Sequence, residues 1–347
     1  MGYRTIVIGT DGSETAFRAQ RAAARFAKLV GGRLVIVSAY RPEMNDRLVA
    51  EMLGYAADAA RREGIEVRTA MAEGSPAKVI KGVAQRESAD LIVVGSVGMG
   101  KARRFRLSAI AEEAALEAPC DVLIVRTTAT EEGWEPPERL YPRIVVGTDG
   151  SPTASEAVRK AYDLGMMLGI GVTLVYVAGD PLIGKIMLER ARKAKPRALG
   201  VQERLVEGEP AEKIAEVAEE EGAGLVVVGN KGMAGTRRYL LGSIPSKVAH
   251  QAATDVLVAK TMDRSADDLA PGHGGLVDVD GRKLAVYREE DASLVALNPR
   301  CTHMGCTVDW NDTDRTWDCP CHGSRYDRHG KLMQGPAEKD LGAETIR

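Results

Sequence analysis

The sequence has no long apolar run, no large excess of one charge and few cysteines and histidines. Its apolar runs, such as Leu91–Val94 and Leu225–Val228, are far shorter than the ~20 residues that span a membrane. A formal net charge of −2 argues against binding nucleic acid by electrostatic attraction. The N-terminal residues lead directly into the short run Ile6–Ile8, with no secretory apolar region. We therefore expect a cytoplasmic protein that has neither membrane nor nucleic acid among its partners.

The few cysteines and histidines are concentrated near the C-terminus. Of five cysteines and five histidines, four and two respectively lie in the segments 301–306 and 319–324. The first reads Cys-x-His and the second Cys-x-x-His, which together supply two sulfur and two nitrogen ligands. This ligand set suits a [2Fe–2S] cluster with two imidazoles on one iron. It also suits a tetrahedral structural zinc, so the residue types alone leave both centres open.

The two segments and the residues around them resemble a Rieske iron–sulfur domain of the type with an additional cysteine in each cluster loop. The resemblance implies that the thiolates of Cys301 and Cys319 hold one iron. It implies that the imidazoles of His303 and His322 hold the other. A visible absorption spectrum distinguishes this cluster from zinc, because only the iron–sulfur centre is coloured.

The same resemblance assigns residues around the cluster. It implies a disulfide between Cys306 and Cys321 that joins the two loops. The hydroxyls of Ser324 and Tyr326 match groups that hydrogen-bond cluster sulfurs, and Gly335-Pro336-Ala337 matches the loop that covers the cluster. Such donors favour the reduced state, so we expect a potential toward the positive part of the range of roughly −150 to +300 mV.

No catalytic centre is predicted beside the cluster. A Rieske oxygenase needs a second iron held by two histidines and a carboxylate. The remaining histidines, His250, His273 and His329, lie in unrelated contexts. We therefore predict no catalytic residues and no autonomous enzyme.

The sequence before residue 262 consists of two similar copies. The repeated segments are 3–13 with 141–151, 73–77 with 207–211, 91–95 with 225–229, and 121–125 with 255–259. In each copy, runs that are apolar throughout alternate with helical patterns, as in a parallel sheet covered on both faces. We predict α/β plus all-β architecture: open parallel-sheet α/β domains at 1–128 and 141–262, then a small antiparallel β domain at 273–347.

Glycines follow the fourth strand of the second copy at a regular spacing. Gly229-x-x-Gly232 is followed after nine residues by Gly242-Ser243. A glycine-rich turn lets backbone N–H groups approach phosphate, and a helix that begins at this pair would favour anions. Glycines also end strands in many α/β folds, so the turn alone fits a structural role as well.

This spacing, and the tandem as a whole, resemble universal stress proteins. The resemblance implies that the second copy binds ATP. The residues it implies are Thr148, Asp149, Val177, Gly229, Gly232, Gly242, Ser243 and Ile244. The first copy keeps Gly95 and Gly98 but has Ser108-Ala109 in place of the Gly-Ser pair, so we expect it to bind nucleotide weakly or not at all. Its expected role is to pair with the second copy across their last strands; a homodimer is the other form of pairing.

Two functions are compatible with these features. The first is a soluble one-electron carrier whose partner is a redox protein or a small electron donor or acceptor, and whose tandem binds ATP. The second is a regulatory sensor, in which the redox state of the cluster or the disulfide changes nucleotide or partner binding. Either role suits a stress or redox response.

Overall fold

The computed structural model describes residues 3–41, 46–96, 107–127, 140–177, 179–230, 243–260, 266, 269–279, 282–311, 314–319 and 322–346. The chain divides into two compact units. One comprises Met1–Asp149 and Thr153–Lys260, and the other Gly150–Pro152 and Thr261–Arg347. We refer to them as the α/β unit and the β unit and describe each by itself.

The α/β unit contains two copies of one strand and helix order. The first copy consists of β1 (Thr5–Gly9), α1 (Glu14–Val30), β2 (Arg33–Tyr40), α2 (Asp46–Arg61), β3 (Val67–Glu73), α3 (Pro76–Arg86), β4 (Leu91–Gly95), α4 (Ala109–Glu117) and β5 (Asp121–Val125). The second consists of β6 (Ile144–Gly147), α5 (Pro152–Leu168), β7 (Val172–Val177), α6 (Pro181–Lys193), β8 (Val201–Val206), α7 (Pro210–Glu220), β9 (Leu225–Gly229), α8 (Ser243–Gln251) and β10 (Asp255–Ala259).

All ten strands form one sheet, in the order β3-β2-β1-β4-β5-β10-β9-β6-β7-β8. Pairing is parallel within each copy. The last strands of the two copies, β5 and β10, pair antiparallel, with Leu123 opposite Leu257. Each copy therefore extends the sheet of the other at the centre.

Successive residues of a strand point to opposite faces of the sheet, so a strand that is apolar throughout places apolar side chains on both faces. Ile6 and Ile8 pack on one face with α1, α2, α5 and α6, whereas Val7 packs on the other with α3, α4, α7 and α8. Both faces of the sheet are thus covered by helices, as expected for parallel strands without polar alternation. The predicted open parallel-sheet α/β fold is confirmed.

Two carboxylates fix the seam between β5 and β10, of which Asp121 is buried and Asp255 half-buried. Asp121 accepts hydrogen bonds from the Lys260 backbone N–H at 2.8 Å and from the Tyr3 hydroxyl at 2.8 Å. Asp255 accepts matching bonds from the Arg126 N–H at 2.8 Å and from the Tyr141 hydroxyl at 3.1 Å.

The cations of the two carboxylates differ. Lys160 places its ammonium 2.5 Å and 2.7 Å from the two carboxylate oxygens of Asp121. The position that corresponds to Lys160 in the first copy is Ala22, which brings no charge to Asp255. Burial raises the pKa of Asp255 to about 6, although hydrogen bonds from Arg126 and Tyr141 oppose the rise.

The β unit consists of two four-stranded antiparallel sheets. The first has the order β11 (Gly274–Val279), β12 (Arg282–Arg288), β13 (Leu294–Leu297) and β18 (Ala343–Glu344). The second has the order β14 (Asp309–Asn311), β15 (Thr316–Asp318), β16 (Arg325–Asp327) and β17 (Leu332–Gln334). β11 and β12 pair antiparallel, and the predicted small antiparallel β domain is confirmed.

In the described part of the chain, no helix combines the length and the apolar character that crossing a membrane requires.

Candidate metal centre and nucleotide clefts

Two loops of the β unit are closed by the same pair of backbone hydrogen bonds. In the first cluster loop, 301–306, the Cys301 N–H donates to the Cys306 carbonyl at 2.7 Å, and the Gly305 N–H donates to the Cys301 carbonyl at 2.8 Å. In the second cluster loop, 319–324, the Cys319 N–H donates to the Ser324 carbonyl at 2.7 Å, and the Gly323 N–H returns to the Cys319 carbonyl at 3.1 Å. The shared Cys-to-Gly spacing therefore closes both loops with the same bonding pattern.

The four predicted ligands separate into a buried pair and an exposed pair. Cys301 and Cys319 are each 2% exposed. His303 and His322 are exposed, with ring centroids 4.9 Å apart and ring planes at 85°. Among the described residues, no three His, Cys, Asp or Glu side chains converge as ligands of one ion. The arrangement gives one sulfur pair inside and one imidazole pair at the surface.

Tyr326 joins the first cluster loop to β16. Its ring is fully buried, and its hydroxyl lies 3.2 Å from Cys301 Sγ. The backbone N–H of Thr302 donates to the same hydroxyl at 3.3 Å, and Thr302 Oγ1 lies 3.2 Å from it. Tyr326 thus reaches the sulfur of one predicted ligand, Cys301.

Ser324 is held between the second cluster loop and the segment 335–337. Its hydroxyl is fully buried and accepts a hydrogen bond from the Ala337 N–H at 3.1 Å. Because a hydroxyl has one proton and two lone pairs, its O–H is available to a sulfur acceptor. Gly335 has φ +113°, and a Cβ there would lie 2.3 Å from Ser324 Cα, so only glycine allows this approach.

The surroundings of Cys301 favour a thiolate. Burial acts to raise the pKa of the Cys301 thiol. Hydrogen bonds from the Tyr326 hydroxyl, the His303 backbone N–H and the Ser324 hydroxyl outweigh burial and lower that pKa below its ordinary value. A thiolate is the form that binds iron, so the site is prepared for a metal on its buried side.

These residues fit a [2Fe–2S] cluster. The two sulfurs lie together with hydroxyl and N–H donors around them, the two imidazoles lie on the outer side, and Gly335 leaves the segment 335–337 close to the loops. Pro336 is exposed beside Gly335. Cys306 is half-buried, but Cys321 lies outside the described residues, so their disulfide stays a prediction.

The second copy of the α/β unit has an open cleft of about 520 Å³ beyond the ends of β6, β7 and β9. Five residues predicted for ATP line it, namely Thr148, Asp149, Val177, Gly229 and Ile244. Ser243 is the first residue of α8, as the sequence predicted. Gly232 and Gly242, with the loop between them, lie outside the described residues.

Gly229 also has a packing role. A Cβ at this position would lie 2.6 Å from the Thr153 carbonyl oxygen, at the start of α5. The glycine is therefore required by the helix that approaches the strand end, whatever the cleft binds. Its presence by itself is not evidence for phosphate.

The first copy has a cleft of the same construction and about 600 Å³. It is lined by Thr10, Asp11, Gly95, Ser108 and Ile110, among others. Gly95 and Ser108 belong to the glycine motif that the sequence showed to be incomplete in this copy. Thr10, Asp11 and Ile110 were not singled out from the sequence. The repeat offset places Thr10 and Asp11 at the positions of Thr148 and Asp149.

Ser108 occupies the helix start in this first cleft. Its N–H donates to the Ser96 carbonyl at 2.7 Å, and its hydroxyl accepts from the Ala111 N–H at 3.2 Å as the N-cap of α4. Glu112 adds an acidic side chain in the first turn of α4. This helix start is therefore bonded within the protein and less attractive to anions than an uncapped one.

Thr302 was also missed at the metal centre. It stands between two predicted ligands, but neither its residue type nor its spacing marks it. Its contact with Tyr326 joins residues that are 24 positions apart in the chain. The contact between Thr302 and Tyr326 is evident only once the first cluster loop is folded against β16.

Comparisons with known proteins match both parts of the chain. The model of the universal stress protein family matches residues 2–126 and 183–260, which together exceed half of the 347 residues. The model of the Rieske [2Fe-2S] domain matches residues 259–344.

Two curated relatives are iron–sulfur proteins by name. YhfW of Bacillus subtilis (strain 168), whose name describes a Rieske 2Fe-2S iron-sulfur protein, is 46% identical over 79 residues, which are 23% of this chain and 16% of YhfW. Cytochrome b6-f complex iron-sulfur subunit 2 of the Cyanophora paradoxa cyanelle is 39% identical over 98 residues, 27% of this chain and 39% of that subunit. The chain therefore spans less than half the length of these two relatives.

A universal stress protein from Archaeoglobus fulgidus DSM 4304 has the same fold over 75% of this chain and 99% of its own length, with a TM-score of 0.61 and 20% identity. This similarity shows the fold, and the two family models identify the two parts. The chain belongs to the universal stress protein family, and its C-terminal part is a Rieske [2Fe-2S] domain.

Proposed function

We propose that this chain carries single electrons through a [2Fe–2S] cluster bound in the β unit. The observation that supports it best is the separation of the ligands into a buried sulfur pair and an exposed imidazole pair 4.9 Å apart. When bound, such a cluster supplies one-electron transfer. Cys301 and Cys319 would hold the inner iron, and His303 and His322 the outer one.

Other features of the site support electron transfer by the bound cluster. Tyr326 and Ser324 donate hydrogen bonds toward the sulfurs, which stabilises the additional negative charge of the reduced state. The exposed imidazoles present a short path to a partner, and the ring nitrogen not used for iron is able to exchange a proton with water. We further propose that the partner is a redox protein or a small donor or acceptor; a cytoplasmic location stays a prediction from the sequence.

The test of electron transfer begins with aerobic purification. We expect a visible absorption spectrum, iron and acid-labile sulfide in equal amounts, and reversible one-electron reduction. Replacing His303 or His322 by cysteine should retain iron but lower the potential, since imidazole ligation raises it. A colourless protein that holds one zinc, and that gains no iron on anaerobic reconstitution, would contradict the proposal.

We also propose that the second copy binds ATP. Support comes from the cleft that brings Thr148, Asp149, Val177, Gly229 and Ile244 together at the carboxyl ends of the strands, where α/β sheets bind ligands. By calorimetry, Asp149→Ala should weaken ATP binding at least tenfold. Asp11→Ala, at the corresponding position of the first copy, is the matched control and should leave ATP affinity unchanged. Equal losses in both variants would assign binding to both copies.

The regulatory alternative is tested in the same preparation. A redox sensor requires that oxidised and reduced protein differ in ATP affinity. We expect equal affinities for a simple carrier. A reproducible difference that disappears in a variant unable to bind the cluster would favour the sensor.

A further inference from the structure

The hydroxyl of Tyr326 has three polar neighbours in the first cluster loop. Cys301 Sγ and Thr302 Oγ1 both lie 3.2 Å from it, and the Thr302 backbone nitrogen lies 3.3 Å from it. The backbone N–H donates to the Tyr326 oxygen. The other two contacts depend on where the hydroxyl protons lie.

Lys339 determines the position of the Thr302 proton. Thr302 Oγ1 lies 2.6 Å from the Lys339 carbonyl oxygen, which only accepts hydrogen bonds. The single hydroxyl proton of Thr302 is therefore donated to Lys339. In its contact with Tyr326, Thr302 Oγ1 is an acceptor.

Two acceptors thus compete for the one hydroxyl proton of Tyr326. A Cys301 thiolate is one, and Thr302 Oγ1 is the other. The oxygen contact of 3.2 Å is longer than the usual O–H···O distance of about 2.7 to 2.8 Å. Sulfur is the larger atom, so 3.2 Å to Cys301 is a normal hydrogen-bond distance. The Tyr326 hydroxyl therefore donates its hydrogen bond mainly to the Cys301 sulfur and to a smaller extent to Thr302 Oγ1.

We propose that Thr302 is a positioning residue for electron transfer, which limits how fully the Tyr326 hydroxyl bonds the Cys301 sulfur and thereby sets the reduction potential. The inference rests on the proposed function, because the potential is that of the bound cluster. Hydrogen bonds to ligand sulfurs favour the reduced state, so a side chain that draws the proton away lowers the potential.

A purely structural role for Thr302 is the competing explanation. Its bond to Lys339 connects the first cluster loop to the segment after Pro336. Both residues are exposed, so water is able to replace that bond when the hydroxyl is removed. A structural role alone predicts no specific change in potential.

The experiment measures the reduction potential of the reconstituted full-length protein. Thr302→Val keeps the shape of the side chain but removes the competing acceptor. We expect the equilibrium constant for one-electron reduction to rise two- to fivefold, which is about 18 to 41 mV at 59 mV per tenfold. Thr302→Ser keeps the hydroxyl and should retain the wild-type potential. If T302V takes up no iron, Thr302→Ala replaces it with the same expected rise.

A double-mutant cycle shows whether Thr302 acts through Tyr326. Tyr326→Phe removes the shared proton and should lower the potential. In the Y326F background, T302V should then have no further effect. An unchanged or lowered potential in T302V, or the same rise in the Y326F background, would overturn the inference. A wild-type protein that binds no iron would instead overturn the proposed function, so the two failures are distinguishable.

Discussion

At the scale of single residues, the two carboxylates at the seam accept matching hydrogen bonds but differ in their burial and in the cation beside them. Asp121 and Asp255 each accept a backbone N–H and a tyrosine hydroxyl. Only Asp121 has the Lys160 ammonium within 2.7 Å of both oxygens. At Asp255, burial raises the pKa, and the hydrogen bonds from Arg126 and Tyr141 together with the charge of Arg126 offset only part of that rise.

Asp255 should make stability depend on pH. Its pKa is about 6 in the folded protein, above the ordinary value of about 3.9 in the unfolded chain. The protonated Asp255 carboxyl contributes its full stabilisation at pH values below its pKa in the unfolded chain. That stabilisation is lost as the pH rises through the pKa in the folded protein. The free energy of unfolding should therefore fall between about pH 4 and pH 6. We expect the free energy of unfolding to decline by an amount on the order of 2 kcal/mol. This is less than the energy that corresponds to the full pKa shift, because Asp255 is only half-buried and solvent screens it.

The measurement is denaturant unfolding as a function of pH. Asp255→Asn keeps an acceptor for Arg126 and should abolish this part of the decline. Asp121→Asn is the control: it removes the partner of Lys160, so it should lower stability at neutral pH. Identical pH profiles for wild type and D255N would contradict the assignment.

Lys160 should be one of the more costly residues to replace in the α/β unit. Its side chain is 13% exposed and that of Asp121 is 3% exposed. Lys160→Met leaves a buried carboxylate without its cation, which typically costs about 3 to 5 kcal/mol. Lys193 pairs with Glu189 at 3.2 Å on the surface of α6, where a pair contributes about 0 to 1 kcal/mol. Equal effects of K160M and K193M on the free energy of unfolding would count against a buried pair.

At the scale of elements, the end of the fourth strand packs differently in the two copies, although both strands end in Val-Val-Gly. β4 and β9 both end in glycine. A Cβ on Gly229 would lie 2.6 Å from backbone at the start of α5, whereas one on Gly95 would meet side chains at 3.4 Å. The backbone of α5 therefore lies closer to the end of β9 than the backbone of α1 lies to the end of β4.

Alanine scanning of these two glycines tests that difference. Gly229→Ala should destabilise by about 1 to 3 kcal/mol because backbone must move. Gly95→Ala should stay within about 1 kcal/mol of wild type, since contacts of 3.4 Å are ordinary and alanine restricts the unfolded chain. The measurement is unfolding without nucleotide, so that binding does not contribute. A neutral G229A would show that α5 does not pack as described.

At the scale of the whole molecule, each hydrophobic core of the described residues is built from one part of the chain. Both cores of the ten-stranded sheet consist of buried residues up to Ala259, and both cores of the β unit consist of residues from Leu269 onward. Cys301 and Cys319 belong to one core of the β unit. Cluster binding should therefore stabilise the β unit selectively.

Removal of the cluster should separate two thermal transitions. Loss of a metal centre takes its binding energy from the fold that holds it, so the transition of the β unit should move to lower temperature. The helical transition, followed by far-UV circular dichroism, should keep its midpoint because all described helices lie before residue 260. Cys301→Ala, which lacks a ligand, is the control and should not respond to iron removal. A single thermal transition that shifts as a whole when the cluster is removed would contradict selective stabilisation of the β unit.

Local sequence patterns were sufficient to predict the features that depend on neighbouring residues. Apolar runs from Ile6 and Leu91 indicated parallel strands, and the Cys-x-His and Cys-x-x-His spacing supplied a ligand set, because period and spacing act over a few positions. Packing of the folded chain establishes which distant groups meet: Thr302 with Tyr326 and Lys339, Lys160 with Asp121, and Thr10 and Asp11 with the other residues of the first cleft. These contacts arise when separate elements pack, and their distances depend on every side chain between them.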